Sequence, residues 1–238
     1  MKTAVILAAG KGSRLRPLTD RMPKACVPVA QRSLVRRLVS QLLACQLDMP
    51  IYIAAGYLAD MIRAEVAEFG PCVTIVENPD YAVTNNMESC RLALEARRED
   101  SSTLIINADC IYDDAIVAGM VAADHSCIAT DSSVYYEESM KVRAVDGRLT
   151  EISKMLSDAG DTSTSIDIYS FEPDHVADLY SIMRGFHESG DVNQWTEVAI
   201  GSLLARPEAR VVAADMKGLR WVEIDNHDDL ARAEALWS

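Results

Sequence analysis

Four cations, Lys11, Arg14, Arg16 and Lys24, fall within fourteen residues of one another. They are threaded through Leu7-Ala8-Ala9-Gly10-Lys11-Gly12-Ser13-Arg14-Leu15-Arg16-Pro17, and Pro23-Lys24 follows. Glycine lets backbone N–H groups approach a phosphate closely, and arginine holds phosphate oxygens in pairs. The chemistry this stretch suits is the binding of a polyphosphate. Residues 1–37 carry nine basic side chains against one acid, Asp20, in a chain of net charge −13. One basic end on an acidic protein is a reason to hold an anion there. A P-loop is excluded, because Lys11 is followed by Gly and no glycine stands at the required distance before it. A dinucleotide-binding fingerprint fails at Leu15, where Gly or Ala belongs. The plain alternative, a glycine-rich loop with solvated bases, fits poorly with so many cations in an acidic chain.

Two carboxylates stand at the ends of apolar runs, Asp109 after Thr103–Ile106 and Asp225 after Leu219–Ile224. At the carboxyl ends of strands they can hold Mg²⁺ against a triphosphate, since Mg²⁺ takes a few carboxylates plus phosphate oxygens and water. Each can equally be a helix cap, Asp109 for the segment after it and Asp225 for the last helix. Gly56 and Asn78 follow the second and third apolar strands at the same sheet edge. Asn86 and Ser89 are three apart and share a helix face, where they can meet a base, a ribose or a phosphate. The pair Asn85-Asn86 is also a candidate cap, and Met87 and Cys90 read as core. In the second half, Lys141 and Lys154 are candidates for an acceptor phosphate. Tyr135, Tyr136, Glu137, Asp167, Trp195 and Glu197 mix aromatic faces with carboxylates, which suits an ammonium group. Their ordinary alternative is core, rim and solvated surface.

Such residues need a scaffold, and the hydrophobic pattern supplies one. Thr3–Ala8 is continuously apolar, as a strand covered on both faces should be. Leu34, Val35, Leu38, Val39, Leu42 and Leu43 have helical period, with Ser33 placed as N-cap. Strands are predicted at Ile51–Ala55, Val73–Val76, Thr103–Ile106 and Cys127–Thr130, and helices at Leu58–Phe69, Asn86–Arg97 and Asp113–Ala123. This alternation implies a three-layer α/β fold with a mostly parallel, Rossmann-like sheet. From Val134 the style changes. Val134–Val145 and Arg148–Ser153 around Asp146-Gly147 predict a hairpin, and Ser165–Phe171 a further strand, so antiparallel additions are expected. Helices at Pro173–His187 and Asn193–Leu204, strands at Val211–Ala214 and Leu219–Ile224, and a helix at Asn226–Trp237 complete the chain. The expectation is a single domain over 1–238, with a nucleotide-binding half (1–130) and an acceptor-binding half (131–238).

Composition removes several classes. An acidic chain lacks the footprint of a nonspecific nucleic-acid or anionic-membrane binder. No apolar run is long enough to cross a bilayer. The apolar start ends at Lys11 and runs into bases, not into the cleavage site of a signal peptide. Cys26, Cys45, Cys72, Cys90, Cys110 and Cys127 include no Cys-x-x-Cys pair, which fits a reducing cytoplasm. His125, His175, His187 and His227 are scattered without metal spacing. The apolar last helix, ending in Trp237, can dock on its own domain or on a second copy, so a homodimer is compatible with the sequence.

Residues 3–30 resemble the signature of nucleotidyltransferases that make activated sugars and alcohols, through Leu7-Ala8-Ala9-Gly10, Gly12-Ser13-Arg14-Leu15, Pro17-Leu18-Thr19 and Pro23-Lys24. Asp109 resembles that superfamily's metal aspartate, Glu223-Ile224-Asp225-Asn226 its second metal segment, and Lys154 with Ile168-Tyr169 its substrate-side lysine and Gly-Ile-Tyr segment. Thr84-Asn85-Asn86-Met87-Glu88-Ser89 and Ser139-Met140-Lys141-Val142 look most like small bacterial cytidylyltransferases acting on phosphocholine or on phosphonates such as 2-aminoethylphosphonate. The resemblance implies a nucleotide-diphospho-sugar transferase-like fold, Mg²⁺ on Asp109 and Asp225, and CTP bound by Leu7, Ala8, Ala9, Gly10, Lys11, Gly12, Gly56, Asn78, Asn86 and Ser89. Bringing two anions together calls for positioning and charge neutralisation. Lys24 would stabilise charge on the α-phosphate, and Arg14 and Lys11 would hold pyrophosphate. Lys141, Lys154, Tyr136, Asp167, Trp195 and Glu197 would meet the acceptor. The chain departs from the sugar branch at Asp167, where Gly would precede Ile-Tyr, which favours a cationic acceptor over a hexose phosphate. Two other readings stand beside this one, a sugar-1-phosphate uridylyl- or thymidylyltransferase and a non-catalytic nucleotide-sensing subunit on the same fold.

Overall fold

The computed structural model describes residues 2–98, 100–158 and 160–238. Strand β1 (Thr3–Ala8) leads into three 3-10 turns, Ser13–Leu15, Leu18–Asp20 and Lys24–Cys26, which carry the basic loop. Next come β2 (Pro28–Val29), β3 (Arg32–Ser33), α1 (Leu34–Cys45), β4 (Ile51–Ala55), α2 (Ala59–Val66) and β5 (Val73–Glu77). They are followed by α3 (Asn86–Ala96), β6 (Thr103–Asn107), β7 (Cys110–Tyr112), α4 (Asp114–Ala122) and β8 (Cys127–Asp131). The second half holds β9 (Lys141–Val145), β10 (Arg148–Ser153), β11 (Thr162–Phe171), α5 (Pro173–Glu188), α6 (Thr196–Leu204), β12 (Val212–Asp215), β13 (Trp221–Glu223) and α7 (His227–Trp237).

The main sheet runs β10-β9-β11-β6-β1-β4-β5, with β8 joining β11 and β12. β1 pairs β4 and β6 in parallel, and β4 pairs β5 in parallel. β11 is antiparallel to β6, β8 and β9, so the expected antiparallel additions enter at that strand. Period-two alternation gives each face its own core. Ala4, Ile6 and Ala8 pack with α1 residues Val35, Leu38, Val39 and Leu42, whereas Val5 and Leu7 pack with Leu179, Met183, Ile200 and Leu203 of α5 and α6. Sheet between helix layers is the three-layer architecture expected. Ser33 caps α1, its Oγ accepting from the Arg36 N–H at 3.3 Å.

The short strands β2, β3 and β7 were not predicted, β11 begins earlier than expected, β13 is shorter, and three further differences have identifiable causes. The predicted strand over residues 134–145 begins only at Lys141. The buried Lys141 ammonium gathers the Tyr136, Glu137 and Ser139 carbonyls at 3.2, 2.9 and 3.1 Å, so residues 136–139 curl around it and form no ladder. The Asp146-Gly147 turn does hold, both residues having positive φ, as a tight hairpin requires. The helix predicted over Leu58–Phe69 is shorter, because Leu58 is left-handed (φ 49°) and the chain tightens into 3-10 geometry at Ala67. Helix α6 begins at Thr196, where the Asn86 side-chain oxygen accepts the Thr196 N–H at 2.8 Å.

Candidate active site

The carboxyl ends of β1 and β6 open onto a cavity of about 390 Å³. The loop after β1 is pinned from both sides. Leu15 is fully buried, and the Thr19 hydroxyl donates to the Gly12 carbonyl at 2.7 Å. Gly12 has φ 68°, and a Cβ there would lie 2.8 Å from Lys24 Cβ. The glycine is therefore what allows Lys24 to pass beneath the loop. Lys24 Nζ donates to Asp109 Oδ2 at 2.8 Å and Asp225 Oδ1 at 2.7 Å, and Arg14 Nη2 lies 2.8 Å from Asp225 Oδ2.

The two aspartates are distant in sequence. Strand β13 pairs antiparallel with β7, and the Ile224 N–H donates to the Asp109 carbonyl at 2.9 Å, which brings them together. Neither is a helix cap. Asp109 precedes a strand, and Asn226 caps α7 in a capping box with Asp229. Glu223 belongs to the segment that resembles the family's second metal segment, but only Asp225 of that segment was assigned to a metal from sequence. Glu223 stands two before Asp225, on the same side of an extended chain, and that spacing is the signal that could have found it. Asp109, Glu223 and Asp225 each place a carboxylate oxygen within 4.8 Å of the others.

Charge in this cluster is uneven. Burial opposes the Lys24 ammonium, but Asp109 and Asp225 override it and hold its pKa well above the ordinary value. Burial likewise opposes ionisation of Asp225, and Lys24 and Arg14 reverse that and hold it low. Burial and the neighbouring carboxylates of Asp167, Asp109 and Asp225 push Glu223 up to about 9. Three carboxyl groups on one side of the cavity form an all-oxygen donor set, and Asp109, Asp225 and Glu223 are the residues that could hold a hard divalent cation such as Mg²⁺, whose charge would draw the Glu223 proton off.

Most of the predicted residues meet at this cavity. Leu7, Ala8, Ala9, Gly10, Gly12 and Arg14 line it from β1 and the loop after it, with Asn86 and Ser89 from α3. Nothing lies within 4 Å of a Cβ built on Gly10, which faces the open space. Lys154, Asp167, Trp195 and Glu197 line the opposite part. Thr84 and Ser139, which open the two motifs of the cytidylyltransferase resemblance, also line the cavity, as do Asn107 and Glu138, which were not singled out from sequence. Asp167 has φ 62°, in a stretch where the pairing of β11 with β8 shifts register, and burial followed by the Glu197 and Asp109 charges pushes it up to about 8. Burial also raises Glu197.

Several predicted site residues, Tyr135 and Glu137 among them, lie off the cavity. Lys141 is fully buried and spends its ammonium on three carbonyls, so it does not face an acceptor. Tyr136 packs edge-on against Trp221 at 6.0 Å. Asn78 is buried, donating to Thr84 Oγ1 and Ser89 Oγ at 3.0 Å each while accepting from the Asp80 N–H. It braces the wall from behind. Gly56 lies against Tyr81 and the Ala9 carbonyl, with room for no Cβ. Lys11 Nζ stands 5.3 Å from the Tyr57 ring centre. In the Asn85-Asn86 pair, Asn85 supplies the cap of α3, while Asn86 accepts from Thr196.

This is the arrangement of a nucleotidyltransferase. Residues 4–163 match the MobA-like NTP transferase domain, and the chain belongs to that family. The chain is 28% identical to the CMP-5'-(3-aminopropyl)phosphonate synthase of Streptomyces rubellomurinus, over 99% of this chain and 38% of that protein. It is 38% identical to the choline-phosphate cytidylyltransferase of Streptococcus pneumoniae, over 44% of each. The match thus spans less than half the length of these curated relatives. The fold superposes on the CTP:phosphocholine cytidylyltransferase of Streptococcus pneumoniae with TM-score 0.80 at 24% identity, covering 100% of this chain and 99% of that one. No helix among the described residues is long and apolar enough to cross a membrane.

Proposed function

We propose that the protein transfers CMP from CTP to a small phosphorylated or phosphonate amino-alcohol and releases pyrophosphate. The observation that carries this reading is Lys24 held between Asp109 and Asp225 beneath a glycine loop, on a cavity whose far side combines Lys154, Trp195, Glu197 and Asp167. The relatives supply the choice of CMP. An anionic oxygen of the acceptor attacks the α-phosphorus, the bond from that phosphorus to the β-bridging oxygen breaks, and pyrophosphate leaves with the electron pair. The acceptor is already ionised, so no side chain has to remove a proton. Lys24 neutralises charge on the α-phosphate, and Arg14 serves the departing pyrophosphate. Backbone groups of Ala8, Ala9 and Gly10 meet the nucleotide, with Asn86 and Ser89 alongside. Lys154 attracts the acceptor's anionic end. Mg²⁺ on Asp109, Asp225 and Glu223 supplies charge neutralisation for the triphosphate when bound. The six cysteines are unpaired, which fits a reducing cytoplasm.

Pyrophosphate release, measured with four nucleoside triphosphates against phosphocholine, phosphoethanolamine, 2-aminoethylphosphonate and glucose-1-phosphate, tests the reading. The expected result is release with CTP and an amino-alcohol acceptor. Preference for UTP with glucose-1-phosphate would overturn the acceptor class, and no release with any pair would favour a nucleotide sensor.

A further inference from the structure

The first turn of α3 is stitched to the segment that enters α6. The Asn85 and Met87 N–H groups donate to the Val192 and Gln194 carbonyls at 3.2 Å each, and the Asn86 side-chain oxygen accepts the Thr196 N–H at 2.8 Å. A backbone N–H on the other side settles the orientation of the Asn86 amide, since only its oxygen can accept. The side chain read from sequence as a nucleotide contact thus has its oxygen spent on another helix.

What it does there is to cap. The first N–H groups of a helix have no partner within it. Trp195 holds the N-cap position of α6 and makes no side-chain cap. Asn86 does from α3 what an asparagine or serine at the N-cap itself commonly does. The body of α6 is held without such help, because Ala199, Ile200, Leu203 and Leu204 are fully buried. Its N-terminal end carries the site. Trp195 and Glu197 flank Thr196, and both line the cavity. Glu197 has a second anchor in the Tyr169 hydroxyl at 2.9 Å. Trp195 is 45% exposed, and the Lys154 ammonium stands 5.1 Å from its ring centre. A chain of contacts therefore runs from Asn86 through the Thr196 N–H to Trp195 and on to Lys154.

Resting on the reading of Lys154 and Trp195 as neighbours of the acceptor, we infer that Asn86 is a positioning residue for the acceptor. By capping α6 from α3 it fixes the place of Trp195 and, over that ring, of Lys154. Asn86 also lines the cavity beside Ser89, so one side chain serves the walls of both substrates.

Thr196 allows a test that leaves the Asn86 side chain in place. Thr196→Pro removes the donated N–H at the first helical position, which suits proline, and Trp195, at φ −75° and ψ 149°, has the backbone that a residue before proline adopts. Thr196→Val keeps the N–H. The assay uses CTP, Mg²⁺ and whichever of phosphoethanolamine, phosphocholine and 2-aminoethylphosphonate the wild type turns over. Thr196→Pro is expected to raise the acceptor KM about five- to tenfold, the factor a lost cap implies, with the CTP KM nearly unchanged. Thr196→Val should leave both constants close to wild type. A merely structural defect would raise the two together, so an equal rise in both, or an unchanged acceptor KM, overturns the inference. Residue-resolved amide exchange decides the case in which Thr196→Pro does not fold. The Thr196 amide should exchange about five- to tenfold more slowly in the wild type than in Asn86→Ala, and equal exchange overturns the cap and the inference with it. Exchange needs no substrate, so the two readings fail separately. A protected Thr196 amide in a wild type that turns over no acceptor would sink the transferase reading, and the acceptor role with it, while the cap survives.

Discussion

Gly12→Ala puts the packing of the glycine loop on Lys24 to a direct test. Two penalties add at this position. Alanine at φ 68° occupies the left-handed region, which costs an L-residue roughly 1–2 kcal/mol. The new methyl group would also lie 2.8 Å from Lys24 Cβ and 3.1 Å from its Cγ, against a comfortable carbon–carbon separation of about 3.5–4.0 Å. Cβ is fixed to the backbone, so Lys24 cannot evade the clash by a change of rotamer. Either the loop or the 3-10 turn carrying Lys24 must shift by about 0.7–1 Å. Lys24 Nζ, now 2.7–2.8 Å from two carboxylates, moves with it. A displacement of about 1 Å at a catalytic group costs about a hundredfold in rate. The variant should lose about 2 kcal/mol of stability, read as a fall in melting temperature of about 4–8 °C. Its kcat for pyrophosphate release should fall about 10- to 100-fold, with a smaller change in KM for CTP. Gly10→Ala is the companion. No atom lies within 4 Å of its built Cβ and its φ is not positive, so the free protein should keep its melting temperature while CTP binding weakens. Wild-type melting temperature with kcat within threefold for Gly12→Ala, or a destabilised Gly10→Ala, would refute the reasoning.

Asp109→Ala and Asp225→Ala should each raise the Mg²⁺ concentration for half-maximal activity by at least about tenfold, measured by metal titration; unchanged dependence in both removes the metal assignment. Asp167 has a folded-state pKa of about 8 against an ordinary 3.8, so the native state holds its proton. Its effect is absent below about pH 3.8, and stability is lost as pH rises toward 8. Asp167→Asn, which suits the left-handed backbone, should therefore raise stability by about 1–3 kcal/mol at pH 8 and leave it unchanged near pH 4, as thermal melts at the two pH values will show. Lys141→Met leaves three carbonyls without their donor, and should raise the acceptor KM more than the CTP KM, because Glu138 and Ser139 in the cavity wall belong to the segment it holds.

The first half of the fold was legible because each of its elements is decided locally. Thr3–Ala8 and Ile51–Ala55 are strands with the predicted bounds, since strands covered on both faces leave no room for polar residues. Ser33 could be read as a cap because capping is a contact with the next turn. The misreadings came where a distant group decides. Residues 134–140 have the composition of a strand, but the Lys141 ammonium competes for their carbonyls. Asn78 looked available to a base, yet Ser89 and Thr84, brought over by α3 and the loop before it, take its donors. The pairing of Asp109 with Asp225 was reached by resemblance, and only β13 against β7 explains it physically. Asn107 was passed over because it closes an apolar strand, and only the opening of the cavity beside the end of β6 places it in the wall.

Lys141 and Lys24 differ in what could replace them. Lys141 sits among carbonyl oxygens as a potassium ion would, but it is tethered to the chain and cannot diffuse away. The wall it organises should therefore keep its shape across changes in monovalent salt that would empty a true ion site. Lys24 faces carboxylates, which a divalent ion can claim. One ammonium is a permanent counter-ion of the fold, and the other would exchange partners wherever a divalent ion claimed its carboxylates.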